Sequence, residues 1–508
     1  MSRPVSAPSF QPSGSVADGE FSSAATNACK LCTPLGACLA FRGVAGAIPF
    51  LHGSQGCATY IRRYLISHFR EPMDIAASNF SEQSAIFGGG SNLKTGLANV
   101  LRQYQPSLVG LATTCLSETI GEDVPGFLRE FHETAAGTLP PIVHVSTASF
   151  RGTHMDGYHA AVRALVETLA GDGGVMPEPR LPPSELAGES DGGAGPLGPP
   201  SARTARRSVP TSGTDNRARP PVALFPGMVS PADLRELKRL VAAFDLPLTL
   251  LPDYSDTLDG PSWADYEKLP SGGTPVEAIR ALGEAQAALE FGRVLVGAPR
   301  TAGTFLKEKR GVPHFRLGLP IGLRETDRLL DILGELAGRL PPAAFTAERG
   351  RLIDSWVDGH KYVFEKRAIV YGEEDLVIGL TSLLAEIGVT PVLCASGGRS
   401  GRFAAALRAA VPELDGRTVI RERADFAAIG TEAAALKPDF LLGASKGYGL
   451  ARQLDVPLVR CGFPIHDRIG GQRVLHVGYA GAQALYDRIV NALLDVKQDR
   501  SEVGYSYI

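Results

Sequence analysis

The stretch AIPFLHGSQGCATYIRRY, residues 47–64, runs from an apolar segment through a loop holding Gly53 and Gly56 into the opening of a helix, with one thiol, Cys57, at the bend. A short apolar run that ends in glycine and is followed by helical periodicity reads as one β-strand feeding one helix. The unit recurs along the chain. MDIAAS (73–78) precedes a helix from about Asn92 to Tyr104. SLVGLATT (107–114) precedes one near Val124–Thr134, and PIVHVST (141–147) one from about Met155. Strands that alternate with helices imply a parallel sheet covered on both faces.

The pattern restarts at VALFPG (222–227), where Ser230 and Pro231 open a capping box, and continues through LPLTLLP (246–252), Thr274-Pro275-Val276-Glu277 and RVLVGAP (293–299). It restarts again at RAIVYG (367–372), with TPVLCAS, TVIRER, DFLLGAS and PLVRCGFP, and closes on a helix from about Ala482 to Asp495. The expected class is α/β, with three doubly wound, Rossmann-like domains built on parallel sheets over residues 25–170, 222–345 and 346–508. A tail precedes them at 1–24. Residues 171–221 carry many Pro, Gly and Ser and few large apolar side chains, and read as a flexible insertion whose five arginines, Arg203, Arg206, Arg207, Arg217 and Arg219, are either those of a solvated linker, the favoured reading, or a grip for an acidic partner.

A chain of 508 residues that is 44% hydrophobic and 21% charged is long enough for several cores. Its net charge of -3 gives no electrostatic case for binding nucleic acid. No apolar run of membrane-spanning length and no signal-peptide core is present, so no membrane partner is expected and the protein reads as cytoplasmic. Seven cysteines in such a chain are core residues or metal ligands rather than a disulfide framework.

In an open parallel sheet, reactive groups collect outside the carboxyl ends of the strands. Cys57 follows one such end by a turn, Cys115 stands at the end of SLVGLATT, Ser149 follows PIVHVST, and Cys32 precedes a proline that suits a helix start. Thiolates at helix starts are natural ligands of iron-sulfur clusters, and Gly53 and Gly56 let backbone pass close to a bulky group. The alternative is that these are small buried hydrophobes, since Cys29 and Cys32 form a C-x-x-C without a second pair. Cys38, Cys394 and Cys461 read as core, His52 as a hydrogen-bonding core histidine, and Cys29 as either a neighbour of the site or a surface thiol. FGGGSNLKTG (87–96) lacks the lysine pattern of a nucleotide-binding loop.

CTPLGACLAFRG (32–43), HGSQGC (52–57), HFREP (68–72), FSEQSAIFGGGSNLKTGL (80–97) and TTCLSETIGEDV (113–124) resemble the β-type subunit of nitrogenase component 1. So do LGLPIGLRETDRLLDILGEL (317–336), ERGRLIDSW (348–356) and GFPIHDR (462–468). The resemblance implies the nitrogenase component 1 fold and an oxidoreductase subunit. It implies a P-cluster-like [8Fe-7S] iron-sulfur cluster shared with a homologous α-type subunit, held on this side by Cys32, Cys57 and Cys115. Ser149 falls at the position able to ligate the oxidised cluster, and Phe87 at the aromatic residue beneath a docked reductase. The implied partners are the α-type subunit, in an α2β2 assembly, and an ATP-hydrolysing iron-sulfur reductase; the active-site cofactor then lies in the α-type subunit. Retention of all three cysteines favours electron relay over a cofactor-assembly scaffold. The segment 27–69 and both termini depart from the common dinitrogen-reducing version. This favours a nitrogenase-like reductase such as the methylthio-alkane reductases, with true nitrogenase as the alternative.

Overall fold

The computed structural model describes residues 29–503 except 136, 172–218, 299, 415 and 417. The expected tail and nearly all of the expected insertion lie outside the described residues. The chain forms three parallel sheets. The first contains β1 (Ala47–His52), β2 (Ala76–Ala77), β3 (Leu108–Thr113) and β4 (Ile142–Val145) in the order β2-β1-β3-β4. The second contains β5 (Val222–Phe225), β6 (Leu248–Leu250), β7 (Ala287–Phe291) and β8 (His314–Leu317) in the order β6-β5-β7-β8. The third contains β9 (Arg367–Gly372), β10 (Thr390–Ser396), β11 (Val419–Arg421), β12 (Phe440–Gly443) and β13 (Leu458–Arg460) in the order β11-β10-β9-β12-β13. Every residue of β1, β3, β5 and β7 is buried, as strands covered by helices on both faces require. One apolar core runs through all three sheets, taking in Leu51, Val222 and Val370.

Register decides where the loops begin. His52 ends β1 opposite Thr113 of β3, and Val145 of β4 stands opposite Ala112, so the segments leaving all three strands start side by side. They lead into α2 (Gln55–Phe69), α5 (Cys115–Ile120) and α7 (His154–Leu169). Between these lie α3 (Glu82–Phe87), α4 (Gly90–Tyr104) and α6 (Val124–Thr134). The first helix, α1 (Thr33–Arg42), crosses α7 at backbone contact. A Cβ on Gly36 would sit 1.7 Å from the His154 carbonyl oxygen, and one on Gly157 would sit 1.9 Å from that of Thr33. Only glycine fits at either position.

Two strand expectations are corrected. RVLVGAP is no strand: Gly292, at φ +146°, ends β7, and residues 293–295 make a 3-10 turn whose Val294 N–H donates to Asp375 Oδ1 at 3.1 Å. The strand lies one step earlier, at Ala287–Phe291. MDIAAS contributes only the two-residue β2.

The second and third sheets are joined through α8 (Pro231–Ala242). Its buried Asp233 completes the capping box with Ser230 and also accepts from the N–H groups of His476 and Val477, ahead of the final helix Gly478–Asp499. Among the described residues no helix is long and apolar enough to cross a membrane.

Candidate functional site

Three cysteines stand in the first turns of three helices. Cys32 is the N-cap of α1, Cys57 lies two residues into α2, and Cys115 is the first residue of α5. Partial positive charge at helix starts favours a thiolate. Ser54 caps α2 by accepting from Gly56 N–H, and Thr114 and Ser117 form a capping box on α5. The loop between β1 and α2 turns at Gly53, φ +154°, where a Cβ would lie 1.9 Å from Thr114 Oγ1, so the loops bearing Cys57 and Cys115 touch.

The structure brings Ser149 into the same group. Its N–H donates to Cys115 Sγ at 3.3 Å, and its Oγ accepts from Thr33 N–H, next to Cys32, at 3.2 Å. Ser149 is therefore no cap of α7, a role taken by Thr153 with Asp156. Burial pushes the Cys57 thiol up, and the nearby Cys115 and Cys32 push it the same way, the mark of thiols close enough to repel as anions. Cys32 is exposed and Cys57 and Cys115 are half-buried, so the edge opens outward.

The other cysteines differ in kind. Cys38, Cys394 and Cys461 are buried; burial drives the first upward and the latter two up to about 12. Cys38 and Cys394 lie within α1 and β10, whereas Cys461 stands one residue beyond β13. Cys29 is no surface thiol. It is buried against the third sheet, its N–H donating to the Ala424 carbonyl, and burial pushes it up to about 12.

Around this edge the structure adds three residues that the sequence reading passed over. Glu118 accepts from Thr113 Oγ1 at 2.5 Å and from Ser146 Oγ at 2.6 Å, locking the β3 and β4 ends together. Glu122 accepts from Gly89 N–H at 2.7 Å and faces His52 Nε2 at 3.0 Å, while His52 Nδ1 meets Ser78 Oγ at 3.0 Å. His52 is thus the buried hydrogen-bonding histidine expected, and burial lowers its pKa against the opposing pull of Glu122. His154 Nδ1 accepts from Leu31 N–H at 3.3 Å, steadying the approach to Cys32. The signal for the two glutamates was present: both follow Cys115 in TTCLSETIGEDV, four residues apart.

Phe87 ends α3 and is 82% exposed, beside Ile86 at 74%. Gly88, at φ +94°, turns the chain behind it, and the Ser78–His52–Glu122–Gly89 chain ties that turn to the thiol loops. An apolar pair this exposed beside a built polar network suits contact with another protein.

Among the described residues no group of three or more His, Cys, Asp or Glu is placed to hold a single metal ion. The donors at this edge are soft thiols spread over three helix starts with one hydroxyl. They fit part of the ligand set of a multi-iron cluster.

The model of the family described as nitrogenase component 1 type oxidoreductase matches residues 32–494. The chain is 33% identical over 488 residues to the nitrogenase molybdenum-iron protein beta chain of Clostridium pasteurianum, covering 95% of this chain and 96% of that one. It is 34% identical over 473 residues to the protein of that name in Methanothermobacter thermautotrophicus (strain ATCC 29096 / DSM 1053 / JCM 10044 / NBRC 100330 / Delta H), covering 91% and 93%. A chain of the solved structure "Nitrogenase Cp1 at pH 6.5" superposes with a TM-score of 0.83 at 31% identity over 97% of this chain and 98% of that chain.

Proposed function

The chain belongs to the nitrogenase component 1 type oxidoreductase family, and from that premise we propose that it is the β-type subunit of a nitrogenase-like reductase complex. In this reading it holds one side of an iron-sulfur cluster shared with a homologous α-type subunit in an α2β2 assembly. The observation that carries it is the convergence of Cys32, Cys57, Cys115 and Ser149 on one open edge, from three strand ends and a helix start.

When bound, the [8Fe-7S] cluster supplies an electron store between the ATP-hydrolysing reductase and the cofactor of the α-type subunit. The protein's part is positional. Helix starts place the thiols of Cys32, Cys57 and Cys115 at one edge, and the α1–α7 contact fixes Cys32 relative to Ser149. Ser149 Oγ, already accepting from Thr33 N–H, is a hydroxyl that gives up its proton only when neighbouring positive charge rises. Ser149→Ala is therefore expected to leave iron content and the reduced spectrum unchanged. It should abolish the pH dependence of the midpoint potential in the oxidised couple. A potential that follows pH as in the parent would make Ser149 a structural acceptor only.

Phe87 and Ile86 form the docking point for the reductase. Phe87→Ala should raise the reductase concentration needed for half-maximal electron transfer roughly tenfold, the scale of losing one exposed aromatic anchor, with bound iron unchanged. Unchanged reductase dependence would place docking elsewhere.

For the substrate reduced in the partner we propose a methylthio-alkane, on the departures in residues 27–69 from the common dinitrogen-reducing version. The beta-chain relatives, whose printed name is nitrogenase molybdenum-iron protein, favour dinitrogen as the second reading. Turnover of the anaerobically purified complex with ATP and reductase separates them, as methanethiol from a methylthio-alkane or ammonia from dinitrogen. Failure to bind iron at all would overturn electron relay and leave a scaffold.

A further inference from the structure

A cavity of about 430 Å³ lies outside the carboxyl ends of β7 and β8, closed on its far side by the helix Phe403–Ala410 of the third domain. It takes no part in the thiol edge. In doubly wound sheets this crevice is where ligands sit, and the volume falls within the roughly 300–1,000 Å³ of small-molecule sites.

Four guanidinium groups line it: Arg293 beyond β7, Arg316 in β8, Arg328 in the helix Gly322–Ala337, and Arg402 ahead of the helix Phe403–Ala410. Among the described residues Arg328 has no hydrogen-bond or ion-pair partner. Arg402 uses Nε on the Val294 carbonyl at 2.7 Å, leaving its terminal nitrogens without acceptors among the described residues. Arg293 pairs with Glu325, and Arg316 lies 3.6 Å from Glu290, yet the Nε atoms of both arginines are buried without a hydrogen-bond partner. A buried donor left unmade is costly, and two stand at one cavity.

Charge states the requirement. Four cations face three carboxylates, Glu325, Glu290 and Asp375, and Glu290 is further engaged by Thr301, Gly303 and His314. Asp375, nearby, accepts from Val294 N–H, and burial pushes its pKa up. The surplus of positive charge suits the anionic phosphate of a phosphomonoester, and guanidinium forks suit its oxygens. The rest of the lining is apolar or glycine, with Leu317 on the β8 side and Ala405, Ala406 and Ala409 on the facing helix.

We propose that this crevice binds a phosphate-bearing small molecule, its phosphate among Arg293, Arg316, Arg328 and Arg402 and its organic body along Leu317 and the alanine wall. The cavity exceeds what inorganic phosphate alone requires, so the organic body adds affinity.

The test is calorimetric titration of the full-length protein, purified with its partner subunit, with inorganic phosphate, AMP and adenosine. AMP is expected to saturate with Kd below ~1 mM, phosphate more weakly, and adenosine not at all. Arg328→Gln removes a group with no structural partner, and Ala406→Glu places a carboxylate against the phosphate. Each should weaken AMP about tenfold or more while leaving bound iron and melting temperature unchanged. No saturable binding of AMP or phosphate, or AMP affinity unaltered in both variants, overturns the proposal. Equal affinity for AMP and phosphate overturns the role given to the apolar wall. Because iron content is read in parallel, failure here is distinguishable from failure of the cluster reading.

Discussion

Cys115→Ala is expected to lose most of the iron of the proposed cluster, and Cys32→Ala and Cys57→Ala the same, whereas Cys394→Ala keeps it. The three thiols arrive from distant segments and meet at one open edge, with Ser149 N–H donating to Cys115 Sγ, so in the proposed assignment each is a ligand that no neighbour can replace. Cys394 lies inside β10, buried beside Thr381 Oγ1 at 3.4 Å, and its removal costs packing alone. The measurement is iron per complex with EPR after anaerobic purification, with the α–β association followed by size. Equal iron in Cys115→Ala and the parent would remove the ligand assignment.

The second large effect is on stability. Asp233→Ala should destabilise the protein by ~3–5 kcal/mol, on the order of a 10 °C fall in melting temperature. Asp233 is fully buried. Its oxygens accept from Ser230 N–H at 3.0 Å, His476 N–H at 2.6 Å, Val477 N–H at 3.1 Å and His476 Nδ1 at 2.8 Å. Gly462 N–H donates to His476 Nε2, which leaves Nδ1 as the imidazole donor. Burial alone would push the carboxyl up, but His476 and these hydrogen bonds outweigh it and hold Asp233 below its usual 3.8. A group depressed in the folded state contributes stability that is fully present above its unfolded pKa. That stability is lost as pH falls through the folded value. The parent should therefore lose this contribution below about pH 4, and the alanine variant should lack that component of its acid transition. Superimposable acid transitions would show that the network adds nothing net.

What could be read in the sequence follows from where polar groups sit. β1, β3, β5, β9 and β12 are runs of apolar residues between turn signals, and their reading gave three parallel sheets. β7, AALEF, and β8, HFRL, carry Glu290, His314 and Arg316 inside strands. Glu290 is satisfied by Thr301 and His314, with Arg316 3.6 Å away, partners the local sequence does not display. RVLVGAP misled for the opposite reason: it is apolar, yet Gly292 and the capture of Val294 by Asp375 take it out of the sheet. At the site, the cysteines were legible as strand-end and helix-start positions. The approach of Ser149 to Thr33 was not, because it depends on how closely two helices cross.

That crossing has a bearing on assembly. Gly36 and Gly157 let α1 and α7 touch backbone to backbone, so Cys32 and the segment carrying Ser149 cannot shift independently. A second protein docking on this edge meets a surface already in its final shape and loses little conformational freedom in ordering it. Side chains added at Gly36 or Gly157 would then act at a distance, slowing the docking of such a protein while Cys32, Cys57, Cys115 and Ser149 remained chemically intact.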